Sequence, residues 1–84
     1  MSGRDGHDPF TALNLPHAVH TQAAKLLHSI ALVQNVTELW RAADRAEGFV
    51  LGIETVKALN DSSIDALYVV FDSAAMARQL ELEQ

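Results

Sequence analysis

Apolar residues return at three- and four-residue steps in three successive blocks of this chain, a period that suits an α-helix. Val19, Ala23, Leu26, Leu27, Ile30 and Val33 make the first stripe. Leu39, Ala42, Ala43, Ala46, Phe49, Val50, Ile53 and Val56 make the second, and Ile64, Leu67, Phe71, Ala74 and Ala75 the third. Gln34, Asn35 and Val36 interrupt the pattern once, and Asn60 and Asp61 interrupt it again. The pattern predicts an all-α fold of about three helices forming a small bundle.

Local signals set the expected ends of these helices. Asn14 is a candidate N-cap for the first, with Pro16 in the opening turn, where its missing N–H costs nothing, and the helix should run to about Gln34. Thr37 can cap the second, with Glu38 favourably placed for the helix dipole, and this helix should reach about Leu59. Ser62 or Ser63 can cap the third, with Asp65 as an acidic capping partner, and the pattern continues towards Leu82. The run Leu67–Tyr68–Val69–Val70–Phe71 would also suit a short buried strand. Its neighbours keep helical spacing, so a helix is predicted there too. Residues 1–13, rich in Gly, Asp, Ser and Pro, are expected to be a flexible N-terminal arm whose end Phe10 and Leu13 could pin; residues 14–84 are expected to form a single helical domain.

An 84-residue chain buries only a modest share of its surface, and there is no cysteine to supply a disulfide or a thiolate metal site. Self-association is the remaining general route to stability. The apolar residues left over from the three stripes point the same way. Val69, Met76 and Leu80 lie opposite the Leu67–Phe71–Ala74 stripe, and Trp40 and Leu51 fall well away from the second stripe at about 100° of rotation per residue. These five are read as protein-binding or dimer-interface residues, the bundle being completed by dimerisation. The competing reading is a tilted packing that buries them inside one protomer. Gly48 and Gly52, one turn apart, each cost a helix about 1 kcal/mol relative to Ala; close approach of another helix would explain them, and a merely tolerated kink is the competing reading.

Six basic and eleven acidic residues give a formal charge of −5, and the basic ones are scattered. Direct nucleic-acid or anionic-membrane binding is therefore not expected. The start MSGRDGHDPF lacks the features of a secretory signal, and no stretch reaches the roughly 18 apolar residues needed to span a bilayer, so a cytoplasmic protein is expected. His17, His20 and His28 are read as solvated or interfacial, not as a metal site. Glu38, Asp44, Glu47 and Glu54 are expected to pair on the surface with Arg41, Arg45 or Lys57. Ser29, Ser62, Ser63 and Ser73 lack a neighbouring base or glycine elbow. No enzymatic activity, catalytic residue or cofactor is expected.

The stretches Leu15–Pro16–His17–Ala18–Val19–His20 and Trp40–Arg41–Ala42–Ala43–Asp44–Arg45–Ala46–Glu47–Gly48–Phe49–Val50–Leu51–Gly52 give the chain a further reading. In their small, acidic, helical context the chain resembles the QslA-type quorum-sensing anti-activators over most of residues 10–80. The resemblance implies a homodimer that binds the ligand-binding domain of a LuxR-type transcriptional regulator such as LasR, covers the surface the receptor uses to dimerise, and so prevents DNA binding. The alternative expectation is a structural or chaperone-like helical dimer that holds an apolar segment of another client protein.

Overall fold

The structure is a computed structural model and describes residues 8–84. Three helices follow one another: α1 over His17–Leu32, α2 over Val36–Thr55 and α3 over Asp61–Leu82, with a short 3-10 turn over Thr11–Leu13 ahead of them. There is no strand among the described residues, and the Leu67–Phe71 run lies inside α3. α2 and α3 make the most extensive pairing, and α1 packs against both. No described helix is long and apolar enough to cross a membrane.

The predicted stripes meet in one core. Ala23, Leu26 and Ile30 of α1 face Leu39, Ala42, Ala46 and Val50 of α2 and Ile64, Leu67, Phe71 and Ala75 of α3, all buried. Val56 departs from expectation: it is 73% exposed. α2 ends at Thr55, before the expected Leu59, because Lys57 turns into the left-handed region at φ 55°. Lys57 N–H then donates to Glu54 O (3.0 Å) and Ala58 N–H to Ile53 O (3.1 Å), which satisfies the last carbonyls of the helix and swings Val56 out of the stripe.

The N-caps of α2 and α3 are asparagines, two or three residues ahead of the expected hydroxyls. Asn35 Oδ1 accepts from Glu38 N–H and Asn60 Oδ1 from Ser63 N–H, each at 2.8 Å. Thr37, Asp61, Ser62 and Ser63 are thereby drawn into the first turns, since an asparagine oxygen reaches the third amide at least as well as a hydroxyl does. Asn14 is not the N-cap of α1 but closes the 3-10 turn as its C-cap. It adopts a left-handed conformation (φ 52°) after the 3-10 turn, and Pro16, which disfavours helical geometry in the residue before it, becomes the N-cap of α1.

The helical domain begins before residue 14. Phe10 is fully buried, its ring 5.7 Å from that of Phe71 and edge-on to His20 at 6.1 Å. Asp8 anchors it twice over: Oδ1 accepts from Phe10 N–H at 2.8 Å, and Oδ2 lies 2.6 Å from His20 Nε2. The remainder of the expected arm, residues 1–7, lies outside the described residues. At the other end of α1, Arg78 of α3 donates from Nε (3.0 Å) and Nη2 (2.6 Å) to Val33 O, placing a cation on the negative end of the helix dipole.

Replacing Phe10 removes a complete ring from the core, and substitutions of this kind cost about 3–5 kcal/mol. Phe10→Ala is therefore expected to lower the urea midpoint sharply. A midpoint within experimental error of the parent protein would show that Phe10 does not belong to the cooperative core.

Candidate protein-binding surface

The molecule measures 38 × 36 × 18 Å, a slab in which each helix keeps one side open. The five surplus apolar residues lie on those open sides: Trp40, Leu51, Val69, Met76 and Leu80 are 48–63% exposed. Tilted packing within one protomer does not bury them. The periodicity that selects the buried stripe also selects its opposite, and this is why exposure was readable from spacing alone.

The five do not form one patch. Val69, Met76 and Leu80 share the outer edge of α3, and on either side of that ridge the surface falls away. On the α1 side is an apolar groove bordered by Pro9, Leu27, Val69 and Val70. On the α2 side is a cleft that Trp40 shares with Tyr68, Phe71 and three carboxylates. Leu51 stands three turns along α2 from Trp40. Two further exposed apolar side chains, Leu32 and Val36, flank the α1–α2 connection and were not singled out by spacing, because they sit where the helical period is interrupted.

Gly48 and Gly52 lie on the exposed side of α2. A Cβ built at either position meets nothing within 4 Å, so no helix of this chain makes the close approach expected there. The anticipated surface ion pairs also fail to form among the described residues. Glu38 accepts from Gln34 N–H at 3.2 Å, Glu54 accepts from the Tyr68 hydroxyl at 3.1 Å, and Arg41 and Arg45 border a hollow shared with Ser29 and Glu38, away from Asp44 and Glu47.

No family model matches this chain, and no curated protein or solved structure matches it. His17, His20 and His28 border an open hollow on α1 with Thr21 and Lys25, and no group of three or more His, Cys, Asp or Glu side chains among the described residues is placed to hold a metal ion. The titration of Tyr68 is clearly perturbed. Desolvation raises its pKa above the ordinary 10.0, and its hydrogen bond to Glu54 and the negative charges of Glu54 and Glu47 raise it further.

Tyr68 is the sole tyrosine, so its phenolate absorbance reports one site: its midpoint should lie above 10, and Glu54→Gln should bring it down. Because the folded state holds this proton more tightly than the unfolded chain, stability should fall as pH rises beyond 10. Gly48→Ala and Gly52→Ala should each stabilise the dilute protein by about 1 kcal/mol, since Ala is the better helix former and has room. That corresponds to about 4–8 °C in Tm for a domain of this size, read by calorimetry; a lower Tm would reveal a contact at these positions.

Proposed function

We propose that this chain is a regulatory protein-binding module whose target is the ligand-binding domain of a LuxR-type transcription factor such as LasR. In this reading it acts in the cytoplasm, covers the receptor's dimerisation surface and so prevents DNA binding. The observation that carries the protein-binding part is the exposure of Val69, Met76 and Leu80 along one edge of α3, with Trp40 and Leu51 exposed on α2. An apolar ridge of this kind is costly to leave in water and gains free energy when a complementary surface covers it. The choice of receptor rests on the resemblance of the Leu15–His20 and Trp40–Gly52 stretches to the anti-activators.

An acidic chain with scattered basic residues is poorly suited to competing for DNA, so interference with a transcription factor would proceed through protein contacts. Self-association belongs to the same reading. Gly48 and Gly52 leave a notch beside Leu51 on the open side of α2, and a second copy could approach the backbone there.

Light scattering across a dilution series, first alone and then with a LasR-type ligand-binding domain, tests both parts. The expected result is a dimer that forms a defined complex while the receptor dimer disappears. Met76→Asp and Leu80→Asp should abolish complex formation with helicity unchanged in circular dichroism. A dimer indifferent to the receptor would sink the anti-activator reading and favour a chaperone-like holder of another client. A chain that stays monomeric and binds nothing would sink both.

A further inference from the structure

The cleft between α2 and α3 has a chemistry that the apolar ridge does not explain. Its walls are aromatic, with Trp40 on the α2 side and Tyr68 and Phe71 on the α3 side, and its rim carries Asp44, Glu47 and Asp72. We propose that this cleft is a subsite for the guanidinium group of an arginine side chain presented by a protein partner. The proposal builds on the protein-binding reading, adding an anchor of defined chemistry to it.

Charge complementarity is the first argument. Asp44, Glu47 and Asp72 accept no hydrogen bond and join no ion pair among the described residues, whose only ion pairs are Asp8–His20 and Arg78–Glu81. None of the described cations lines the cleft. Arg41 and Arg45 border a different hollow, Arg78 is bound to Val33 O and Glu81, and Lys25 borders the α1 hollow. The rim is therefore complementary to a cation brought by another molecule.

The second argument selects the kind of cation. The three carboxylates do not converge closely enough to form a metal-holding group, which disfavours a compact divalent ion and favours a charge spread over a plane. A guanidinium is planar, stacks on aromatic faces, offers several donors at once, and is less strongly hydrated than an ammonium. Trp40 is 48% exposed and so accessible to such a group, while the Tyr68 hydroxyl donates to Glu54 and holds its ring in place before any ligand arrives.

Size is the third. The cleft holds ≈ 280 Å³, just under the range of about 300–1,000 Å³ typical of small-molecule pockets. That suits a single long side chain. The methylene stem can lie along the apolar floor while the charged head reaches the carboxylate rim.

Trp40 is the sole tryptophan, so its fluorescence reports on the cleft directly. The full chain, without any protein target, would be titrated with N-acetyl-arginine methylamide, its neutral citrulline isostere and its lysine counterpart. Arginine should give a saturable change in Trp40 emission that weakens with added salt, lysine a weaker one, and citrulline none. Glu47→Gln and Asp72→Asn should each raise the arginine Kd by about threefold, as expected for removing one exposed charge partner. Both positions are exposed, and helicity in circular dichroism verifies that the variants fold. An arginine response matched by citrulline or lysine, a response unchanged in the double variant, or no saturable response would overturn the proposal. Because no target is present, such a failure leaves the ridge and its Met76→Asp test standing, and failure of the ridge test leaves this one standing.

Discussion

The burial of Phe10 is the contact on which the arrangement of the three helices depends. α1, α2 and α3 each contribute a modest stripe, heavy in alanine, and the largest fully buried side chain comes from none of them. It enters from the segment ahead of α1, meets Phe71 of α3 and lies edge-on to His20 of α1, joining the first and last helices through one ring. Asp8 makes that entry reproducible. Its carboxylate binds the Phe10 amide with one oxygen and His20 with the other, so the polar backbone carried inward with the ring is not left unsatisfied.

The parts of this fold that depend on period were legible in the sequence, and the parts that depend on competition between near-equivalent groups were not. Ala23, Leu26, Ile30, Leu39, Ala46, Val50, Ile64, Leu67 and Phe71 repeat at helical spacing, and all are buried. Trp40, Leu51, Val69, Met76 and Leu80 fall outside the stripes, and all are exposed. The caps were a different matter, because Asn35 and Thr37, or Asn60 and Ser62, are comparable candidates by residue type. Which of them wins depends on where the backbone first turns helical. Val56 was misplaced for a related reason: the helical period was extended past a lysine that adopts a left-handed conformation, and nothing in residue type marks Lys57 for it.

Long-range polar contacts were beyond what spacing can show. Arg78 binds the carbonyl of Val33, 45 positions earlier in the chain, and Tyr68 donates to Glu54 across the α2–α3 interface. The Tyr68–Glu54 contact, together with the bond from Gln34 N–H to Glu38, accounts for two of the four carboxylates expected to pair locally. Side chains three and four apart on a helix can meet, yet Glu38 and Glu54 have better-placed partners in the backbone and in Tyr68. The residual negative charge of Asp44, Glu47 and Asp72 thus collects between helices instead of being neutralised along one of them.

The connection between α2 and α3 is closed at both ends. The backbone turn at Lys57 satisfies the last carbonyls of α2, and Asn60 satisfies an amide of the first turn of α3 only three residues later. A joint with so few free dihedral angles behaves as a bracket and not as a hinge. The spacing between α2 and α3, and with it the shape of everything lying between them, is therefore fixed when the chain folds, so a partner docking there would meet a mould that has already set and would lose little entropy in shaping it.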